Sequence, residues 1–460
     1  MHPSQDYASL RRVSCLFCLW MCLAPPSSLF ASEDAFRYRD LEGPLGATEA
    51  ELFEDIRDGR LDSFSLFSAA LVAGGIQDRD RIAYYEERIE SLILEMRPEV
   101  EARTSETARA REVFEFMHRM VLRGGYQLEC SRLSTVLDDG RYNCVSASIL
   151  YKVLAGRFGL RIMGLEVPGH AMCRLYLQNE TLEIESTCPR WFSLIDQPEK
   201  RAEVVRKAMG YPSGGSPPEC REVDDIQWLA TIYYNRGIDL LSEKDFAGAV
   251  AANAKALRFD RTNEIARGNL VASLNNWAIH LSMQDLYATA VEKLDRGLAI
   301  DPDFDTLRAN HVHVTERWVD ALGGAGRFEE GARVAFDALS RHPGAPVLTE
   351  KLLEVFDRWA RREFREEHFD AAFLIFDEAE SRCGPNLRPR VARLESAAVI
   401  DAATDMLRQG RKSDALALYD AALRRNPTSM ALVANRRTLV SEPEEIPSLI
   451  PVSTRREPVL

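Results

Sequence analysis

Residues 138–187 read DDGRYNCVSASILYKVLAGRFGLRIMGLEVPGHAMCRLYLQNETLEIEST, and the pattern divides into one helix and three strands. Asp139 and Gly140 make a turn. Cys144 then opens an apolar-periodic helix through Val145, Ile149, Leu150, Val153 and Leu154, which Gly156 to Gly159 ends. Leu160 to Val167 reads as a strand, Pro168 and Gly169 as a turn, His170 to Leu177 as a second strand ending at Gln178 and Asn179, and Leu182 to Thr187 as a third. A two- or four-residue turn between the last two strands puts His170, Met172, Glu183 and Glu185 on one, polar face. Ala171, Leu175, Leu182 and Ile184 then share the other, apolar face. Glu185 lies nearer the open end of the hairpin, where His170 begins its strand, so it is better placed than Glu183 to accept an imidazole N–H.

A lone buried cysteine on a helix reads as core packing. At a helix N-terminus, however, a thiol meets unpaired backbone N–H groups and the positive end of the dipole, and both favour the thiolate. Cysteine at a helix start, histidine opening a strand after Pro-Gly, and an acid fifteen residues later followed by Ser-Thr together resemble the transglutaminase-like core of the papain-like cysteine enzymes. The resemblance implies an α+β domain in which Cys144, His170 and Glu185 are the catalytic residues, with "EST" standing where the family commonly has Asp-Pro-Thr. The acid is Glu rather than Asp. No side-chain oxyanion donor is recognisable, which leaves Asn143 and the Cys144 backbone N–H as candidates. On this reading His170 takes the thiol proton, Glu185 orients the imidazolium, and the thiolate attacks an amide carbonyl to form a thioester. Water resolves the thioester in a peptidase or amidase, and a primary amine does so in a transglutaminase.

Neither a metal nor a cofactor is implied. Cys173 and Cys188 flank His170 without a C-x-x-C pair, and His170 and Cys173 face opposite sides of a strand. His311 and His313 diverge by about 200° around a helix. No run of Asp or Asn resembles a calcium loop.

Upstream, residues 32–123 form a helical lead-in, with Ile82, Tyr85, Ile89, Leu92 and Leu94 as an apolar stripe on a charged background. The α+β core takes residues 124–210, after the break at Gly124 and Gly125. Residues 211–221, which include YPSGGSPPE, read as a linker. Small residues then recur in pairs seven apart: Ala249 and Ala256, Ala290 and Gly297, Gly331 and Ala338, Ala372 and Ala379, Ala415 and Ala422. The interval between pairs is about 41 residues, and Pro302, Pro343 and Pro427 follow five residues after the second member. Each unit is therefore a helix, a tight turn and a second helix whose small residues permit close packing. Phrases such as DFAGAVAANAKALRFD and GRKSDALALYDAALRRNP resemble the tetratricopeptide repeat, which implies an all-α solenoid of five units over residues 222–440. The family unit is about 34 residues, and the extra seven extend the first helix of each pair by two turns. Helical lead-in, core and repeats together resemble a class of bacterial proteins. Residues 441–460 are Pro- and charge-rich, the pattern of a disordered tail.

The chain of 460 residues carries 58 Lys plus Arg against 71 Asp plus Glu, a net charge of −13 that disfavours nucleic acid as a partner. Arg11 and Arg12 precede the apolar stretch Val13 to Ala24, and a small-residue run ends near Ala31, so residues 1–31 read as a signal peptide. The expected protein is exported, periplasmic or extracellular, with no stable membrane span once the leader is removed; an N-terminal membrane anchor is the alternative. Of nine cysteines, Cys130, Cys144, Cys173, Cys188, Cys220 and Cys383 lie beyond the leader, an even count that permits bridges. Two functional readings result. One is an exported thiol enzyme (peptidase, amidase or acyl transferase) whose repeats bind a protein or peptide partner. The other is a catalytically inactive peptide-binding scaffold.

Overall fold

The computed structural model describes residues 38–167, 169–210 and 220–441; the expected signal peptide, the 211–219 part of the expected linker and the expected tail from 442 onward lie outside the described residues. The chain divides into two compact units, one of residues 1–243 with 248–267 and the other of 244–247 with 268–460.

The first unit begins with helices α1 (Ala47–Asp55), α2 (Leu66–Ala73), α3 (Arg79–Glu101) and α4 (Glu106–Phe116). Ser65, Asp78 and Ser105 cap the last three of these by accepting first-turn N–H bonds. The buried stripe of α3 is Ile82, Tyr85, Ile89, Ile93, Met96 and Val100. Leu94, expected in that stripe, is exposed, because steps of three and four from Ile89 reach Ile93 and then Met96. A π-helical turn, Met117–Val121, follows α4. Next come β1 (Gly125–Tyr126), α5 (Leu133–Asp139), β2 (Arg141–Tyr142) and α6 (Cys144–Gly156).

The main sheet contains β3 (Arg161–Val167), β4 (His170–Tyr176), β5 (Thr181–Ile184) and β6 (Arg221–Val223) in the order β5-β4-β3-β6. All three pairings are antiparallel. Leu177 N–H donates to Glu180 C=O at 2.9 Å, which makes Gln178 and Asn179 a two-residue turn between β4 and β5. The resulting register sets Arg174 opposite Glu183 and Leu175 opposite Leu182, the parity the alternation predicts. The polar face nevertheless does not open to water at its His170 end, where His170 and Met172 are both buried. The last strand is also shorter than predicted, stopping at Ile184, because Thr187 N–H turns back onto the Glu185 carboxylate.

Helix α7 (Pro198–Met209) precedes the linker, and β6 corrects the linker's far boundary: Arg221 is already in the sheet, beside β3. Its guanidinium is held by two buried carboxylates. Arg221 Nε donates to Glu166 Oε2 at 3.1 Å, and Arg221 also pairs with Asp260. Tyr234 hydroxyl donates to Glu166 Oε1 at 2.9 Å, and Asn263 Nδ2 at 3.3 Å. Lys255 Nζ and Tyr233 hydroxyl meet Glu49 on α1 at 2.8 and 2.9 Å. These contacts bring helices α8 (Asp225–Ser242) and α9 (Phe246–Phe259), the first pair of the expected array, into the same compact unit as the sheet.

The second unit is helical. Helices α10 (Glu264–Met283), α12 (Asp305–Gly324), α14 (Pro346–Arg365) and α16 (Arg388–Arg408) have 20, 20, 20 and 21 residues. They alternate with α11 (Tyr287–Ile300), α13 (Phe328–Arg341), α15 (Phe369–Cys383) and α17 (Lys412–Arg425), of 14, 14, 15 and 14 residues. Helix α18 (Met430–Ser441) follows. The long member comes first in each pair, the place where the extra residues of a 41-residue period are expected. Each paired small residue from Ala290 to Ala422 is buried. His311 is buried against Asp295 and His342, while His313 is exposed, so the two histidines do not converge. The helical second unit is consistent with a repeat array.

Arg221 is the cation shared by Glu166 and Asp260, so Arg221→Met leaves two buried carboxylates without it. The variant is expected to lose about 3 kcal/mol or more of unfolding free energy, read as a lower urea midpoint at unchanged m-value.

Candidate active site

Cys144 is the first residue of α6, and its position follows from the cap before it. Asn143 Oδ1 accepts the N–H groups of Val145 and Ser146, both at 3.0 Å, while Ser146 Oγ accepts the Asn143 N–H at 3.0 Å, a closed capping box. Asn143 Nδ2 donates to Leu128 C=O at 2.8 Å and to Ser131 Oγ at 2.9 Å. The Asn143 side chain is thereby committed on both ends, which removes it as an oxyanion donor. The Cys144 N–H, in the first turn, has no intrahelical acceptor and remains a candidate.

His170 opens β4, and Glu185 lies one residue past β5. The two-residue turn brings them together: His170 Nε2 is 2.6 Å from Glu185 Oε2, and the two side chains are 4% and 1% exposed. The other carboxylate oxygen, Oε1, accepts the Thr187 N–H at 3.0 Å and the Thr187 hydroxyl at 2.5 Å. Glu183, the alternative acid, instead pairs with Arg174 at 2.7 Å and is half exposed. Burial disfavours a charged imidazole. The neighbouring Cys144 and the Glu185 carboxylate bonded to the ring outweigh it and hold His170 up at about 10. Because Nε2 is taken by Glu185, Nδ1 is the nitrogen left for the thiol. The structure thus brings Cys144, His170 and Glu185 into one buried constellation, capable of proton transfer between sulfur and imidazole.

Residues that the sequence reading passed over complete the surroundings. The π-helical turn carries His118, whose Nε2–H donates to Ser186 C=O at 3.1 Å, beside Glu185. Burial pulls His118 down to about 4, so it stays neutral, and its Nδ1 has no partner among the described residues. Burial, with Cys144 and Glu185 nearby, pushes the hydroxyl of Tyr126, on β1, above the ordinary tyrosine value. Its aromatic ring packs edge-on against Tyr142 with centroids 6.1 Å apart. Tyr126 offered no signal because it lies eighteen residues before Cys144 in an exposed two-residue strand with no periodicity to place it. Cys173, paired opposite Ile184 and bonded to Ser148 C=O at 3.4 Å, is pushed up by burial to about 12. Cys130, Cys144, Cys173, Cys188 and Cys383 are free thiols.

Residues 83–196 match the family model of the transglutaminase-like superfamily. The matched segment contains Cys144, His170 and Glu185 and begins inside α3. No tetratricopeptide family match is found for the helical region. No curated protein matches the chain significantly.

A histidine whose folded value exceeds the ordinary value of about 6.5 stabilises the fold fully below that value and loses the contribution as pH rises through the folded one. For His170 that window runs from about pH 6.5 to about pH 10. The difference in Tm between wild type and His170→Gln should therefore shrink progressively over this range, measured by a thermal melt at half-unit pH intervals.

Proposed function

We propose that this protein is an exported thiol enzyme of transglutaminase-like type, a peptidase, amidase or acyl transferase. One observation carries the reading: the 2.6 Å contact between His170 and Glu185, both sealed from solvent, with the imidazole's remaining nitrogen available to Cys144 at a helix start. A buried histidine–carboxylate pair that only completed a core would require no thiol beside it.

The Cys144 proton passes to His170, giving a thiolate and an imidazolium that Glu185 orients and stabilises. The sulfur bonds to the acyl carbon as the carbonyl electron pair moves to oxygen. When that pair returns, the carbon–leaving-group bond breaks, and His170 gives its proton to the departing amine. Water or a primary amine, deprotonated by His170, then attacks the thioester and regenerates the thiol. Cys144 itself is 6% exposed, and this near closure favours the second reading, a peptide-binding scaffold without turnover.

The alternation of long and short helices and the buried small residues support a tetratricopeptide-type array that recruits a protein or peptide. Support for export rests on the leader pattern alone. Among the described residues no helix is long and apolar enough to cross a membrane.

Cys144 should react with iodoacetamide at pH 7, mapped by peptide mass spectrometry. Without its base, a cysteine is only a few per cent thiolate at this pH, so His170→Ala should label about tenfold more slowly or worse. Equal, slow labelling of both proteins would favour the scaffold reading.

A further inference from the structure

The three segments that carry Cys144, His170 and Glu185 each contribute one more polar side chain, and these three meet in a closed ring of hydrogen bonds. Ser148 lies one turn past Cys144 on the same side of α6, Cys173 lies three residues along β4 from His170, and Ser186 directly follows Glu185. The Ser148 hydroxyl donates to Ser186 Oγ at 3.0 Å, the Ser186 hydroxyl donates to Cys173 Sγ at 3.6 Å, and the Cys173 thiol donates to Ser148 C=O at 3.4 Å. All three residues are fully buried.

Two further contacts anchor the ring. Ala171 C=O, next to His170, lies 3.5 Å from the Ser148 hydroxyl, and Ser186 C=O accepts the His118 Nε2–H at 3.1 Å. Burial holds the Cys173 thiol up at about 12, so it stays a donor and is not a second nucleophile. Apolar side chains would fill the same space without polar atoms to satisfy. A closed polar ring does what they cannot: a shift of any one member leaves a buried donor or acceptor of another unpaired, so the three segments are held in one arrangement. The carboxylate bonds of Glu185 fix the acid to His170 and Thr187. The ring fixes the acid's own segment to the helix of the thiol.

We infer that Ser148, Cys173 and Ser186 are positioning residues: their ring sets the Glu185–His170 pair against the helix that begins at Cys144, and His118 braces it from the π-helical turn. The inference rests on the thiol-enzyme reading above. No ring atom takes or gives up a proton in the reaction. The ring acts through the separation it imposes on the groups that do.

The test is the pH profile of Cys144 alkylation by iodoacetamide in the full chain, with the modified residue mapped by peptide mass spectrometry. A cysteine paired with an imidazolium reacts at pH 6, where an unassisted one is only about 0.3% thiolate, whereas at pH 9.5 both are mostly thiolate. Cys173→Ala opens the ring, and Cys173→Ser restores a donor and an acceptor at the same place. Cys173→Ala should react about tenfold more slowly than wild type at pH 6 and within about twofold of it at pH 9.5, and Cys173→Ser should recover most of the loss. Ser186→Ala repeats the comparison at a second member while keeping the carbonyl that His118 bonds, and Ser148→Ala replaces whichever alanine variant does not fold. Wild-type rates at pH 6 in the alanine variants overturn the inference and leave the thiol-enzyme reading intact. So does a change of equal size at both pH values, or a Cys173→Ser as slow as Cys173→Ala, since either makes the ring a packing device. A wild-type Cys144 that does not react at pH 6 overturns both readings.

Discussion

A carboxylate with essentially no solvent exposure costs several kcal/mol unless charge and hydrogen bonds replace the water it has lost, and Glu185 is such a carboxylate. The requirement is met by the His170 imidazole on one oxygen and by the Thr187 N–H and hydroxyl on the other. Much of the local structure follows from it. The chain leaves β5 at Ile184 because the acid turns Thr187 back, and the two-residue turn sets the register that brings strand starts and ends together. The imidazole, fixed at one nitrogen, has a single direction in which to meet the thiol.

The same unit contains a second buried acid with a different outcome. Glu166 on β3 is surrounded by Arg221, Tyr234 and Asn263, a permanent cation and two neutral donors. Nothing there can exchange a proton near neutral pH, since a guanidinium does not titrate in the working range. Glu166 therefore holds β6, α8 and the turn after α9 to the sheet, whereas Glu185 faces the one partner able to take and release a proton. Two buried carboxylates of one unit thus divide into a structural role and a proposed chemical one according to what surrounds each.

The elements nearest the site were largely legible because they rest on short-range rules. The start of α6 follows from Asn143 and the periodicity after Cys144, and the pairing of β4 with β5 follows from alternation across a short turn. The 41-residue spacing of small residues marked the helix pairs for the same reason, as close packing leaves a local imprint. Errors appeared where a long-range contact overruled the local signal. Arg221 reads as linker because Pro, Ser and Gly precede it, but Glu166, 55 residues earlier, draws it into the sheet. The first helix pair looks like every other pair, yet Tyr234 and Lys255 reach partners 68 and 206 residues away.

From the sequence alone come the helix starts, the strand parity, the acid on the histidine's side of the hairpin and the repeat period, each carried by residues within a few turns of one another. Tertiary structure alone decided that Asn143 is spent on its cap, that His118 abuts Ser186 on a π-helical turn, and that Tyr126 pairs with Tyr142 just before the start of α6. Those contacts depend on how the chain returns to itself across a strap of glycines and a turn of irregular helix. Neither leaves a periodic pattern, so no spacing rule could have revealed them.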